Sequence, residues 1–129
     1  MRECTLATVV LHARLGYTKC MNMNEYQQAA LRTARAKDAP DEVFHLLLGL
    51  CGEAGEIAEK TKKIVRDQAS DFSALDTNDM KKELGDVLWH VAVLAEYFDI
   101  SLDDVATTNI EKLASRLQRG KIGGSGDNR

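Results

Sequence analysis

Two acidic pairs, Glu53-x-x-Glu56 and Glu83-x-x-Asp86, are the side chains in this sequence best spaced to do chemistry. They sit in Gly49-Leu-Cys-Gly-Glu-Ala-Gly-Glu56 and Lys82-Glu-Leu-Gly-Asp-Val-Leu-Trp-His90, stretches that otherwise read as apolar helix. Acids three residues apart share one helix face. Two such pairs brought together make a cage of hard oxygen ligands, the arrangement that a magnesium ion and a polyphosphate need. Carboxylates within ~5 Å of one another repel by about 3 kcal/mol per pair at an effective dielectric near 20. A domain whose whole stability is roughly 5–15 kcal/mol cannot leave several such repulsions uncompensated. Either some acids carry protons or cations sit among them. A divalent cation resolves the conflict, and the absence of cysteine or paired histidine ligands favours Mg²⁺ or Mn²⁺ over zinc. The plainer alternative is two solvated faces with contacts such as Glu56–Lys60. It leaves unexplained why so few other polar residues share those helices.

The elements that must position these acids are helical. Pro40 is the single proline, and strand-like alternation is almost absent. A first helix is predicted over Asn24–Ala36, with Tyr26, Ala30, Leu31 and Ala34 on one side. Lys37–Pro40 breaks it. A long second helix runs from Asp41 to about Asp67, and Gln68–Asn78 is a polar loop. Thr77 or Asn78 caps a third helix that reaches about Phe98. Ser101-Leu-Asp-Asp104 resembles a capping box and opens a fourth helix to about Arg119, stopped by Gly120. The expected fold class is all-α, a four-helix bundle.

On the second helix Phe44, Leu47, Leu48, Cys51, Ala54 and Ala58 fill one broad apolar side, which Val43, Leu46, Leu50 and Ile57 extend further round and which is expected to be buried. The remaining narrow stripe of His45, Gly49, Glu53, Glu56, Lys60 and Lys63 is expected to line an enclosed groove. Cys51 reads as a small core residue. Gly49, Gly52, Gly55 and Gly85 each cost a helix ~1 kcal/mol relative to alanine, so they point to close helix approach beside the acids. On the third helix Glu83, Asp86 and His90 fall on one side of an otherwise apolar surface. Asn109 falls within an apolar stripe of Leu102, Val105, Leu113 and Leu117 on the fourth. With Lys112 and Arg116 it could offer an amide and two cations to phosphate oxygens, or be a satisfied core amide beside surface cations. His90, Tyr26, Gln27 and Tyr97 are candidate base contacts, and Trp89 reads as core or subunit interface.

Composition bounds the rest. A chain of 129 residues allows one domain with a modest core. Net charge is −3 with no long basic run, which argues against a broad nucleic-acid footprint. Three cysteines, with no C-x-x-C spacing, fit a reduced cytoplasmic protein. No apolar run approaches the ~20 residues of a membrane span. The Thr5–Leu11 run is short and interrupted soon after, so it is not read as a signal peptide. Residues 1–21 are expected to be a leader or extension, 22–119 the helical domain, and 120–129 a flexible tail.

Taken with Asn109-Ile-Glu-Lys112-Leu-Ala-Ser-Arg116, the two glycine-framed acidic segments resemble the MazG family over roughly Asn22 to Arg119. That family comprises all-α nucleoside triphosphate pyrophosphohydrolases. The resemblance implies a Mg²⁺-dependent enzyme converting (d)NTP to (d)NMP and pyrophosphate, as a homodimer or homotetramer with sites near subunit contacts. It implies that Glu53, Glu56, Glu83 and Asp86 are metal ligands, with Glu53 or Glu56 also orienting the attacking water. It places Lys60, Lys63, Lys112 and Arg116 at phosphate-binding positions and Asn109 near the nucleotide. Rival readings are a pyrophosphohydrolase of phosphoribosyl-ATP or another nucleotide-like substrate, and a non-catalytic cation-binding interaction module. A di-iron bundle would need Glu-x-x-His on two helices, which the sequence lacks.

Overall fold

A computed structural model describes residues 21–123 and 126. Among them the fold is all-α, with four helices and no strand. They are α1 (Met23–Ala30), α2 (Glu42–Asp67), α3 (Thr77–Tyr97) and α4 (Leu102–Gln118). Short 3₁₀ turns at Leu31–Thr33 and Phe72–Ala74 extend the first and second connections. The expected leader lies outside the described residues apart from Met21, as does part of the expected tail.

Local chemistry sets most of the boundaries. Asn22 and Glu25 form a reciprocal capping box at the start of α1. The regular helix then ends six residues earlier than the Ala36 expected from periodicity. Thr33 hydroxyl donates back to the Ala30 carbonyl, and the Trp89 indole donates to both Ala30 O and Thr33 Oγ1, so the terminal groups find partners off the helix. At α3 the cap is Asp76, one residue before the predicted position, and its carboxylate accepts from the Asn78 and Asp79 amides. Ser101 caps α4 as expected.

α2 and α3 form the principal packed pair, and α1 bridges α3 and α4. Gly49 meets His90, while Lys60 meets Glu83 and Asp79, so the two long helices run antiparallel. Gln27, buried on α1, is the tie between α1 and the α3–α4 corner. Its amide nitrogen donates to Glu96 and to the Ile100 carbonyl, and its oxygen accepts from the Leu102 amide at 2.8 Å. Asn24 adds contacts to Ser101 and the Asp103 amide. Both the amide nitrogen and the oxygen of the Gln27 side chain are thus engaged in holding helices together.

The core is small: Ala30, Leu46, Ala92, Val93, Leu94, Ala95 and Leu102. Leu46 is 0 % exposed, yet the broad apolar side of α2 is not buried: Phe44 is 62 % and Leu48 71 % exposed. Cys51 is exposed too, against its reading as core. The reason is geometric. The side of α2 that packs on α3 is the mixed stripe through Leu46, Gly49 and Glu53, so the wider greasy side faces outward. Likewise on α4 only Leu102 of its stripe is buried, and Val105, Asn109, Leu113 and Leu117 are exposed.

Candidate metal centre

The α2–α3 pairing brings three of the four predicted acids together. Glu53, Glu56 and Glu83 each offer a carboxylate oxygen, all lying within 4.8 Å of one another. Glu83 is buried, Glu53 half-buried and Glu56 exposed, so the cluster opens to solvent on the Glu56 side. Asp86 does not join this group. One turn beyond Glu83, it is exposed, and its charge, together with the larger effect of burial, raises the Tyr26 phenol's pKa. The register that sets Glu83 against Glu56 turns Asp86 toward α1.

The trio fits a hard divalent cation on the chemistry of its donors. Glu53, Glu56 and Glu83 would hold such a cation through carboxylate oxygens, the exposed Glu56 and half-buried Glu53 adjusting toward the buried Glu83. Three carboxylates would leave positions for water and phosphate oxygens, and among the described residues no cysteine or histidine joins the group.

Lys60 supplies the local counter-charge. Its ammonium hydrogen-bonds Asp79 and stands 3.4 Å from Glu83 Oε1. The hydrogen bond to Asp79 raises the Lys60 pKa, and the same bond holds the Asp79 carboxyl below the usual carboxylate range. The pair's contribution is therefore present above the ordinary aspartate pKa and fades as pH falls through the depressed value. Both members are charged at neutral pH. Asp79 escaped the sequence reading although it lies four residues before Glu83, a spacing that puts it on the same face.

The other predicted phosphate contacts are dispersed in the single chain. Lys63 stands 3.8 Å from Glu59 on an exposed face of α2. Asn109 and Lys112 border a shallow groove on α4 with Ile100, Asp104, Val105 and Thr108. Arg116 is buried and donates to the Gly126 carbonyl at 3.3 Å, so it is no surface cation. α4 packs on α1 and α3, which keeps these groups apart from the α2 lysines. Asn109 is not the buried amide that its apolar neighbours predicted.

His90 is buried between α2 and α3, with Nδ1 3.0 Å from the Asp86 carbonyl and its ring edge-on to Trp89. A Cβ added to Gly49 would stand 2.2 Å from His90 Nε2. The histidine packs between the two long helices, and Gly49 is the described glycine that permits their close approach. Gly52, Gly55 and Gly85 border open space instead. A second buried acid, Glu42, was also missed. It is 3 % exposed and ion-paired to Arg35 at 3.2 Å, with His45 Nδ1 at 3.6 Å, at the end of the helix pair remote from the trio.

Residues 42–120 match the model of the MazG nucleotide pyrophosphohydrolase domain. The chain is similar to the Gene 37 protein of Mycobacterium phage L5, 46 % identical over 114 residues that cover 84 % of this chain and all of that protein. It is also similar to the protein YvdC of Bacillus subtilis strain 168, 34 % identical over 74 residues, 54 % of this chain and 70 % of the relative. No solved structure matches it.

Proposed function

Because the chain belongs to the MazG nucleotide pyrophosphohydrolase family, we propose that it hydrolyses (d)NTPs to (d)NMPs and pyrophosphate with Mg²⁺, or Mn²⁺, held by Glu53, Glu56 and Glu83. The observation that carries this reading is the convergence of those three carboxylates from two helices. When bound, the cation neutralises phosphate charge and acidifies a coordinated water. Glu56, the most exposed of the three, would orient the attacking water or take its proton. Glu53 and Glu83, more enclosed, fix the cation's position. Lys60 lies close enough to offset charge on the phosphates, and Lys63 stands one turn further along the same helix. Asp86, exposed one turn beyond Glu83, would be the fourth ligand.

A panel of (d)NTPs and phosphoribosyl-ATP, assayed for pyrophosphate with Mg²⁺, tests this. Release from at least one (d)NTP is expected, lost with EDTA by on the order of 100-fold or more and restored by Mg²⁺ or Mn²⁺. Release from phosphoribosyl-ATP alone would move the substrate class, and silence across the panel would reject the enzyme. No described helix is long and apolar enough to cross a membrane. The reading places the protein in the cytoplasm, with the nucleotide pool, acting without a stable nucleic-acid partner.

The active form on this reading is a homodimer or homotetramer. Phe44, Leu47 and Leu48 on α2, with Leu84 and Leu88 on α3, present large apolar surface outward. A second copy would cover it and bring the dispersed Asn109 and Lys112 of one chain within range of the other's acids. Light scattering is expected to give a dimer or larger. Leu48→Arg, at a position 71 % exposed in the single chain, is expected to shift the assembly to monomer and lower activity about tenfold or more. A wild-type monomer with full activity would refute the assembly.

A further inference from the structure

We propose that Asp79 is a positioning residue that holds the Lys60 ammonium off the carboxylate trio, so that a divalent cation can occupy Glu83. The proposal rests on the reading that the trio binds such a cation, and it extends to a residue outside the acidic pairs. Lys60 projects from α2 between two acids of α3, four residues apart on one face. It hydrogen-bonds Asp79 and lies 3.4 Å from Glu83. Glu83 also belongs to the trio. An ammonium and a divalent cation cannot both sit against the same carboxylate without strong repulsion. Lys60 is therefore the cation's built-in competitor, and the outcome depends on where else its charge can go.

Asp79 is that place. Its carboxylate is partly exposed and already hydrogen-bonded to Lys60, with Lys82 a weaker neighbour at 3.9 Å. When a cation takes Glu83, the ammonium relinquishes one acid and keeps the other. The positive charge stays beside the centre, where a phosphate chain would arrive, instead of on a ligand atom. Without Asp79 the same ammonium settles on Glu83 and must be expelled toward solvent before a cation enters.

The test is a double-mutant cycle on the full chain, read as Mn²⁺ affinity from the free-ion electron paramagnetic resonance signal. Wild type is expected to bind Mn²⁺, and Asp79→Asn to weaken it about tenfold. Lys60→Met is expected to tighten binding several-fold, and Asp79→Asn added to Lys60→Met to cost no more than about twofold, because the competitor is gone. Asp79→Glu, which keeps the charge, is expected to bind near wild type. An equal loss from Asp79→Asn in both backgrounds would overturn the proposal, since Asp79 would then act through its own charge alone. A folded wild type that binds no Mn²⁺ would instead overturn the metal reading beneath it.

Discussion

Glu56→Gln and Glu83→Gln are each expected to lower kcat for pyrophosphate release on the order of 10³-fold with helicity retained. Each removes one charged oxygen ligand from a set whose members lie within 4.8 Å, and Glu56 also loses its capacity as a base. Neither change opens a cavity, because glutamine has nearly the shape of glutamate. Neutralising Glu83 relieves repulsion from Glu53 and Glu56 but gives up the Lys60 ion pair, so stability of the metal-free protein is expected to change little. Asp86→Asn is expected to cost less, about 10- to 100-fold, since Asp86 stands outside the trio in the resting arrangement. Rates and circular dichroism measured on all three variants decide the ranking. Turnover near wild type for Glu56→Gln or Glu83→Gln would remove the assigned ligand from the site.

The acids and their helices were legible because the signals are local. Spacing fixes which face Glu53 and Glu56 share, and the caps at Ser101 and the break at Pro40 mark boundaries within a residue or two. What spacing cannot fix is which side of a nearly all-round apolar helix meets its neighbour. For α2 hydrophobic content pointed to the side bearing Phe44 and Leu48. The chain instead packs the edge through Leu46, Gly49 and Glu53, where Gly49 leaves room for the His90 ring and Gly52 and Gly55 face open space. The same indeterminacy misplaced Asn109 and Cys51, whose apolar surroundings are exposed in the single chain. The tie that Gln27 makes was hidden for another reason. Its partners lie on the α3–α4 corner, 69 to 75 positions away, and no local pattern reveals a long-range hydrogen bond. Asp79 was within reach, since its spacing to Glu83 follows the same rule that found the pairs.

Gly49→Ala is expected to damage both stability and catalysis, although alanine is the better helix former. The intrinsic preference returns about 1 kcal/mol. Against it, the new methyl would stand 2.2 Å from His90 Nε2 and 2.8 Å from its Cδ2, distances no packed methyl tolerates. His90 cannot swing away freely, because it is buried and its Nδ1 contacts the Asp86 carbonyl. Overpacking of this kind costs roughly 1–3 kcal/mol or more. A net loss of up to about 2 kcal/mol is expected, read as a fall in Tm of up to roughly 15 °C. Relief requires α2 and α3 to part, and the trio spans that seam. A displacement near 1 Å at a reacting centre costs on the order of 10²-fold, so kcat should fall between about 10- and 100-fold. His90→Ala combined with Gly49→Ala removes the clash and is expected to restore much of the lost activity. Thermal denaturation and kinetics on the single and double variants check this. An unchanged Tm and kcat in Gly49→Ala would show that the helices do not meet as closely as described.

Anomalous diffraction from crystals of this chain soaked in Mn²⁺ probes the acidic trio most directly. The predicted result is one strong peak bounded by the carboxylates of Glu53, Glu56 and Glu83, at bond lengths of about 2.1–2.3 Å, and absent from Glu83→Gln crystals. A peak elsewhere, or none with those three side chains turned apart into solvent, would contradict it.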